Sequence, residues 1–503
     1  MNPSKYRHIV FSMATSGLLL VGLFLFLNGT SQVARADPGD LFVTPTGSGT
    51  ACAQAQPCAL QTALAQAADG NTIYVAEGTY TGTGGAVITI SKSITLYGGW
   101  DGSPTGSVVR DPDAYPTVLD GEGARRVVYI SGPVAPVLDG LVIRHGNATG
   151  LGGYSTYDAG GGVYIHEANA FMNHCTIINN DAGPASSAGN GVGGGIAVIA
   201  SDARLENNLI ISNTARWGGG VRAISGAPVF RHNQFLSNTS LFGGGMYLMW
   251  TQAQVEDNLF QDNTGSNGGG LYLSGAEAAL VGNVIRDNQG SYGGGIGINV
   301  GTSAVVSGNL ILNNQVSSRG GGIHISYNDT EAHNNAIAHN QAPRGAGVYV
   351  RQASPIFRHN TIVRNTGGDG VGVFLGQDAT MALTNTIIVS HTVGITVTAG
   401  STATLEATLW GLGPWANLTD WGGDGAILTG TVNIWGDPAL LDPDGGDYHI
   451  GPGSAAIDAG VDAGVTDDID GDTRPQGSGY DIGADEFRQQ WHVCLPMVVK
   501  NYP

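Results

Sequence analysis

Residues 243–270 read GGGMYLMWTQAQVEDNLFQDNTGSNGGG, and this stretch decides the fold because it is one unit of a repeat. Its two glycine triplets begin 25 residues apart. Further triplets begin at residues 160, 193, 218, 293 and 320, and the series continues with Gly345-Ala346-Gly347 and Gly370-Val371-Gly372. The repeat, rather than the length of 503 residues, therefore sets the domain organisation.

Asparagines keep the same interval as the glycines. The first series is Asn208, Asn233, Asn258, Asn283, Asn309, Asn335, Asn360 and Asn385. A second Asn follows five residues after each of these, from Asn213 to Asn365, and Ser390 takes that place in the last copy. Stacked amide side chains can hydrogen-bond to one another along an axis, so both series predict ladders.

Short β-branched runs such as Gly195-Ile196-Ala197-Val198-Ile199 lie between these landmarks. No amphipathic helix of about 10 residues fits beside two such strands, which excludes leucine-rich, ankyrin and tetratricopeptide repeats; a propeller blade needs about 40 residues. We predict an all-β fold, a single-stranded, right-handed parallel β-helix over residues 71–435 whose coils stack at roughly 4.8 Å. Asn208, Asn233, Asn258 and Asn283 are then expected in one axial row.

Two motifs of this repeat resemble known families. Gly194-Gly195-Ile196 and Phe260-Gln261-Asp262-Asn263 are similar to the repeat of chlamydial polymorphic outer-membrane proteins. More broadly, residues from about 70 to 435 resemble right-handed parallel β-helix proteins of the pectate lyase-like superfamily. The resemblance implies a fold and leaves the activity open, because one fold serves many functions.

Composition limits the classes of partner. The chain has 81 Gly, 12% charged residues and a formal charge of −19, with only three Lys. We therefore expect no nucleic-acid partner, since phosphate binding needs clustered Lys and Arg. An acidic polysaccharide would be repelled unless a cation bridged it.

The first 36 residues have the pattern of a secretory signal peptide, with Lys5 and Arg7, an apolar run from Ile9 to Leu27, and Ala34-Arg35-Ala36. An uncleaved membrane anchor is the alternative, and no other segment is apolar enough to cross a membrane. The sequence thus predicts a secreted or cell-surface protein.

Residues 37–70 are expected to form an N-terminal cap. Cys52 and Cys58 are the only close cysteine pair and are predicted to form a disulfide in an exported protein. Cys175 is expected to be a buried thiol, and Cys494 is left without a partner. Pro57 to Asp69 has the pattern of a short amphipathic helix over the first coil, with Gly70 as its C-cap.

The repeat stops near residue 400, where Trp410, Trp415, Trp421 and Trp435 cluster. They are expected either to plug the last coils or to offer stacking platforms. Residues 436–487, with Pro452 to Gly460 and Tyr480 to Glu486, resemble the module called choice-of-anchor Q. In that family the module precedes surface-sorting signals, whereas the tail 488–503 lacks a sortase motif and resembles short ends of exported proteins from Chloroflexi-type bacteria.

Two acidic clusters lie in this module, and we consider Asp468, Asp470 and Asp472 as weak candidates for Ca²⁺. Asp is also a common turn residue, so a purely structural role is the alternative. No other cofactor is expected.

Catalytic patterns of this fold are missing from the sequence. We find neither the Asn-Thr-Asp pattern of polygalacturonases nor the Trp-Ile-Asp-His run of pectate lyases. Asp262 and Asp287 lie 25 residues apart, one coil, with Arg286 beside them, and are weak catalytic candidates.

Two columns of side chains flank the glycine triplets. One stands two residues after each triplet and is expected to point outward, because its neighbours Met246 and Leu248 are apolar. The other stands immediately before the triplet. Exposed aromatic rows suit stacking on sugar rings, although ladder packing is the alternative. The predicted ligand-binding residues are Trp217, Arg222, Phe242, Tyr247, Tyr272, Tyr292, His324 and Tyr349.

The sequence thus favours an adhesin-like β-helix that binds extracellular polysaccharide or a neighbouring cell surface without catalysis. A polysaccharide lyase or glycoside hydrolase acting on the same groove is the alternative, and a stalk without a defined ligand is a third possibility. Whether the chain is an enzyme stays open. We expect Trp217, Phe242, Tyr247, Tyr272 and Tyr292 to be solvent-accessible.

Overall fold

A computed structural model of the chain describes residues 32–34, 39–186 and 189–488. The predicted signal peptide, apart from Gln32–Ala34, and the tail beyond Arg488 with Cys494 lie outside the described residues. The structure is a parallel β-solenoid, as predicted, in which three strands of each coil stack on the equivalent strands of the next. No helix of the described residues is long and apolar enough to cross a membrane.

Each coil passes through three faces, which we call sheets 1, 2 and 3. Sheet 1 has 13 strands: Ala86–Ile90, Arg126–Ser131, Val163–His166, Ile196–Ile199, Val221–Ile224, Met246–Met249, Leu271–Ser274, Ile296–Asn299, Ile323–Ser326, Val348–Arg351, Val371–Gly376, Val393–Val397 and Thr419–Gly422. Ile196, Val221, Met246 and Leu271 are in register and fully buried, as expected of core positions.

Sheets 2 and 3 meet at a corner where single residues adopt positive φ, as Asp257 does at +54°. The strands of sheet 2 are Leu41–Val43, Thr72–Ala76, Thr95–Trp100, Val137–Asp139, Phe171–Asn173, Arg204–Glu206, Val229–Arg231, Gln254–Glu256, Glu277–Val281, Ser303–Ser307, Glu331–His333, Ile356–Arg358 and Ala426–Thr429. Those of sheet 3 are Gly78–Tyr80, Thr117–Asp120, Leu141–Arg144, Thr176–Ile178, Leu209–Ile211, Gln234–Leu236, Leu259–Gln261, Val284–Arg286, Leu310–Leu312, Ala336–Ala338, Thr361–Val363 and Asn433–Gly436. Thr380–Val389 and Thr402–Gly411 run through the corner and belong to both sheets.

Smaller elements complete the architecture. A short sheet precedes the glycine triplets, with strands Thr239–Phe242, Thr264–Asn267, Gln289–Tyr292 and Gln315–Arg319. The remaining strands are Gln32–Ala34, Val108–Arg110, Gly153–Tyr154, Tyr157–Ala159, Gly191–Val192, Leu440–Asp442 and Asp447–Ile450, and a 3-10 turn spans Gly413–Trp415.

Both asparagine ladders form. In the first, Asn208 Nδ2 donates to Asn233 Oδ1 at 3.0 Å, and the same bond joins each pair up to Asn335 and Asn360, at 2.9 Å. The predicted axial row is therefore confirmed. Each amide oxygen also accepts a hydrogen bond from a backbone N–H of the preceding coil. The buried backbone groups of the corner are therefore hydrogen-bonded to side chains that also bond to one another.

The last predicted members of the ladders are wrong. Ile387 stacks on Thr361, so the position above Asn360 belongs to Thr386, and His391 takes the position above Asn365 that was assigned to Ser390. Asn385 and Ser390 instead occupy the positive-φ corners, with φ of +49° and +61°. The coil has 26 residues there, so a fixed step of 25 falls one residue short.

Glycine is required in the triplets because neighbouring coils approach each other closely there. Gly243 has φ +65°, where a side chain is strained, and a Cβ on Gly244 would lie 2.4 Å from Gly269 O in the next coil. The triplets therefore allow the chain to turn into sheet 1 while neighbouring coils remain at strand spacing.

The N-terminal cap forms with one change. Cys52 and Cys58 are disulfide-bonded, which confirms the prediction. The helix is shorter than expected, Leu60–Gln66, and its C-cap is Ala67 rather than Gly70, because the chain becomes extended at Ala67. Lys92 Nζ donates to the helix carbonyls of Leu64, Ala65 and Ala67, which places a cation at the helix C-terminus.

The C-terminal module, expected at residues 436–487, follows the strand Asn433–Gly436 and lies along the outside of sheet 3 rather than over the end of the solenoid. Its side chains Leu440, Tyr448 and Ile482 pack with outward residues of sheet 3 such as Ala338 and Val363. At the end of the solenoid, Trp410 is fully buried, whereas Trp421 and Trp435 are exposed. The tryptophan cluster therefore combines one core residue with exposed rings.

Candidate functional site

The predicted binding groove is filled by its own side chains. Tyr247 and Tyr272 do stack in one column of sheet 1, but each is only 7% exposed. Their rings meet edge to face with centroids 5.1 Å apart, and Asn299 Nδ2 donates to the Tyr272 hydroxyl at 2.8 Å. The prediction that these two tyrosines are solvent-accessible is wrong.

The glycine strip explains this burial. A Cβ on Gly243 would lie 2.9 Å from the Tyr247 Cβ, and one on Gly268 would lie 2.8 Å from the Tyr272 Cβ. The chain bends so sharply at each triplet that a glycine lies directly beside the Cβ of the outward tyrosine and covers the base of this side chain. Phe242 closes the layer from the other side, at 5.5 Å from the Tyr272 ring.

Three other predicted ligand residues are buried in the same layer. His324 stacks on Tyr349 with ring centroids 5.3 Å apart, and burial lowers the pKa of His324 to about 3, helped by Arg351 and Arg319. Arg222 lies 4.2 Å above the Tyr247 ring, and burial lowers its pKa to about 10. These side chains form an internal aromatic and cationic layer.

The row immediately before the triplets stays partly accessible. Trp217 and Phe242 are half-buried, and Tyr292 is exposed, as predicted. Trp217 packs against Tyr157 at 4.9 Å and Arg216 at 4.1 Å. This row therefore forms the rim of the aromatic layer.

Asp262 and Asp287 occupy corner positions with φ of +56° and +58°, where Asp is favoured for its local backbone compatibility. The pKa of Asp287 lies above its usual value, because burial and the nearby charge of Asp262 outweigh the opposite effect of Arg286. Arg286 Nε lies 3.9 Å from Asp287 Oδ2, while Asp262 Oδ2 accepts a hydrogen bond from Gln261. The corner geometry by itself explains why Asp occurs at both positions. A catalytic role for Asp262 and Asp287 stays an untested prediction.

The three aspartates considered for Ca²⁺ do not converge. Asp468 is buried and accepts backbone N–H groups from Asp470 and Asp472 on Oδ1 and from Glu486 on Oδ2. Asp472 pairs with Arg488 at 2.7 Å, and Asp470 contacts a histidine instead. The geometry thus assigns Asp468 to the turn, and Ca²⁺ binding by this trio stays a prediction.

A second polar cluster, not foreseen from the sequence, lies on sheet 3 near the N-terminal end. The Asp120 carboxylate accepts a hydrogen bond from Arg144 at 2.8 Å and lies 3.2 Å from His145 Nδ1, at an open depression of about 530 Å³ that Glu122 and Asp181 also line. Burial acts to raise the pKa of Asp120, but hydrogen bonds from Glu122 N–H, Arg144 and His145 bring it below its usual value. An ionised carboxylate of this kind is a poor general acid.

Exposed aromatic rings lie at the corner between sheets 1 and 2, where sequence reasoning had named none. Trp250 is 59% exposed and Tyr327 is 43% exposed. They occupy equivalent positions three coils apart, with Gly275 and the Val300-Gly301 turn between them. We call the row formed by Trp250, Gly275, Val300 and Tyr327 the corner ridge.

Contacts with neighbouring residues fix the positions of both aromatic rings of the ridge. The Trp250 ring lies against Gly275, where a Cβ would meet its Cδ1 at 2.4 Å, so only glycine leaves room for the ring. Tyr327 is held over Arg351, whose guanidinium lies 5.1 Å from the ring centre. The exposed side chain of Gln252 donates to Glu277 at 2.9 Å beside the ridge, which adds polar groups to two apolar platforms.

The sequence contained one signal for this ridge. Trp250 and Tyr327 follow the sheet 1 strands at the same position in the repeat, but the intervening copies carry Gly275 and Val300, so the sequence shows no aromatic column. Since exposure at a corner depends on the size of the residues in the neighbouring coils, only the stacked structure identifies the platform.

A family model described as a right handed beta helix region matches residues 130–285 and 251–409, more than half of the chain. The chain belongs to this β-helix family. The handedness agrees with the strong preference for right-handed connections between parallel strands. The β-helix fold predicted from the glycine and asparagine repeats is therefore confirmed.

Solved structures with a similar fold include pectate lyase Pel9A, at 12% identity and a TM-score of 0.35, covering 90% of this chain and 98% of that one. The periplasmic alginate epimerase AlgG is 10% identical over 72% of this chain and 77% of that one, with a TM-score of 0.35. The Dettilon tailspike protein is 15% identical over 80% of this chain and 69% of that one, with a TM-score of 0.39. No curated protein matches the sequence significantly. Likeness at this level concerns the β-helix fold alone.

Proposed function

We propose that this β-helix protein is exported and binds an extracellular polysaccharide through the corner ridge without cleaving it. The observation that carries the proposal is the pair of exposed rings, Trp250 and Tyr327, on one line along the solenoid axis. Exposed aromatic rings fixed on a rigid scaffold bind flat apolar faces, such as those of sugar rings, at low conformational cost.

The spacing supports an extended ligand. Three coil steps of roughly 4.8 Å place the two rings about 14 Å apart along the axis. Gly275 and the exposed Val300 lie between the rings, so that a chain of several sugar residues can contact Trp250, Val300 and Tyr327 in turn. A small globular ligand would not contact both rings.

Charge favours a neutral polymer. The formal charge of −19 repels acidic chains at a distance, and the charged groups Glu277 and Arg351 beside the ridge have opposite signs. Gln252 and Glu277 can instead hydrogen-bond to sugar hydroxyls.

The position of the acidic pair favours binding over cleavage. Asp262 and Asp287 lie at the corner after sheet 3, whereas the ridge lies between sheets 1 and 2, on another side of the coil. A polymer on the ridge does not reach these carboxylates.

The test is a glycan array followed by titration of each captured polysaccharide, with Trp250→Ala and Tyr327→Ala. We expect each substitution to weaken binding by about 10- to 100-fold, the equivalent of roughly 1 to 3 kcal/mol per stacking contact. Tyr292→Ala is the matched control, because Tyr292 is an exposed aromatic on the other rim.

Equal binding by the parent and both ridge variants would overturn the site. Parallel assays for reducing ends and for unsaturated products separate binding from cleavage. Release of either product by the parent would favour the polysaccharide lyase or glycoside hydrolase alternative. No binding to any glycan would overturn the polysaccharide proposal itself.

A further inference from the structure

His449, Asp470 and Asp485 converge in the C-terminal module. His449 lies on the strand Asp447–Ile450, Asp470 lies in the turn after Asp468, and Asp485 precedes the end of the described chain. One donor atom from each side chain lies within 4.8 Å of the other two. The three residues are separated in sequence by 21 and 15 positions, so the fold brings them together.

The imidazole has carboxylates at both nitrogens. His449 Nε2 lies 2.6 Å from Asp470 Oδ2, and Nδ1 lies 2.5 Å from Asp447 Oδ1. Asp485 is almost fully buried, and its Oδ2 accepts the Ile450 N–H at 2.8 Å, which fixes its orientation. A nitrogen donor and two carboxylates therefore face one point from three rigidly connected segments.

Negative charge is concentrated around His449. The neighbouring arginines are already paired, Arg474 with Glu486 and Arg488 with Asp472, both at 2.7 Å. The carboxylates of Asp447, Asp470 and Asp485 therefore surround a single imidazole.

We propose that His449, Asp470 and Asp485 bind a divalent transition metal ion of the Zn²⁺ type. Mixed imidazole and carboxylate ligands suit such an ion, whereas Ca²⁺ prefers oxygen ligands alone. The ion takes the place of the proton between His449 Nε2 and Asp470, so that binding releases it to solvent. Zinc ligand bonds of about 2.0 to 2.2 Å place ligand atoms roughly 3.3 Å apart, which requires the His449 to Asp470 contact to open by less than about 1 Å.

The site has a structural consequence. Strand Asp447–Ile450 contributes Tyr448 and Ile450 to the layer that covers sheet 3, and Asp470 belongs to the turn next to Asp467, whose carbonyl accepts a hydrogen bond from Asn334 of the solenoid at 2.7 Å. A metal at His449 would join these segments and hold the module against the coils.

The experiment is calorimetric titration of the full chain with Zn²⁺ and, separately, with Ca²⁺, in two buffers of different ionisation enthalpy. All samples carry Cys494→Ser, because that thiol is a competing zinc ligand. We expect one Zn²⁺ per chain, release of protons, and a higher melting temperature of the module. His449→Ala and Asp470→Asn should each weaken Zn²⁺ binding at least 10-fold.

Asp472→Asn is the matched control, since it removes one carboxylate from the same turn without touching the trio, and it should bind like the parent. Both ligand variants alter partly exposed side chains, so circular dichroism can verify that they fold. Absence of Zn²⁺ binding overturns the proposal. So does equal binding by His449→Ala and Asp472→Asn, or binding of Ca²⁺ in preference to Zn²⁺.

Discussion

Asn385 and Val461 exchange two hydrogen bonds: Asn385 Nδ2 donates to Val461 O at 2.6 Å, and Val461 N donates to Asn385 Oδ1 at 2.9 Å. The solenoid thus uses an asparagine outside its ladders to hold the C-terminal module. Gly483 N adds a third bond to the Asn385 carbonyl at 2.9 Å.

Replacing Asn385 by Ala should loosen the module, and it also removes one contact within the solenoid, the 2.8 Å hydrogen bond between Asn385 Nδ2 and His359 Nε2. Loss of the two side-chain bonds should lower the free energy of opening residues 440–488 by roughly 1 to 3 kcal/mol, measured by hydrogen exchange. Asn207→Ala is the control, because Asn207 has φ +54° at the same corner but bonds to Asn173 within the solenoid. Equal protection of the module in both variants would contradict the assignment.

Asn263→Ala should destabilise the solenoid much more than its small change in volume implies. Asn263 is fully buried, donates to Asn288 Oδ1 and the Phe235 carbonyl, and accepts from Asn238. Its removal leaves several buried polar groups unpaired, which costs about 2 to 5 kcal/mol. The shift in urea midpoint measures this, with half-buried Asn267→Ala as the comparison. If the ladder hydrogen bonds do not contribute to stability, Asn263→Ala and Asn267→Ala will have the same urea midpoint.

Replacing Tyr247 and Tyr272 together with Ala should lower stability, because both rings belong to a buried layer. Truncation of a buried aromatic ring costs about 3 to 5 kcal/mol at each site. Differential scanning calorimetry measures the loss, and the double Phe variant keeps the ring packing and should retain most of the stability. If the double Ala variant has the same melting temperature as the parent, the burial of these two tyrosines is contradicted.

His324 should make stability depend on pH. Its folded pKa of about 3 lies below the unfolded value of about 6.5, so its contribution is present above pH 6.5 and declines as the pH falls towards 3. We expect His324→Phe to flatten the dependence of melting temperature on pH between 6.5 and 4. Tyr349→Phe changes the same stack without removing the titrating group and should keep the parent's slope. Parallel slopes for parent and His324→Phe would rule out this contribution.

Alkylation should distinguish the cysteines. Cys52 and Cys58 should stay unmodified even after unfolding without reductant, since they form a disulfide. Cys175 is buried, and burial raises the pKa of its thiol to about 12, so it should react only when the chain unfolds. Intact mass before and after denaturation measures both, and modification of Cys175 in the native protein would contradict its burial.

The candidate site was less predictable than the fold. The column containing Tyr247 and Tyr272 was located correctly, since strand alternation places it on the outer side of sheet 1. Its exposure was misjudged because alternation includes neither the close approach of the triplet glycines to each tyrosine Cβ nor the packing of the rings on one another. Trp250 and Tyr327 were missed because Gly275 and Val300 interrupt their column, and the His449 cluster was missed because its members are distant in sequence.

The sequence by itself determined the solenoid, because parallel stacking at one strand spacing forces residues one repeat apart to lie above one another. The ladder from Asn208 to Asn360 and the core column from Ile196 to Leu271 follow from that single rule. Only the tertiary structure decided which outward residues meet solvent, where a 26-residue coil shifts Asn385 out of the ladder, and that the C-terminal module returns along sheet 3. These depend on contacts between segments far apart in sequence, whose geometry no local pattern contains.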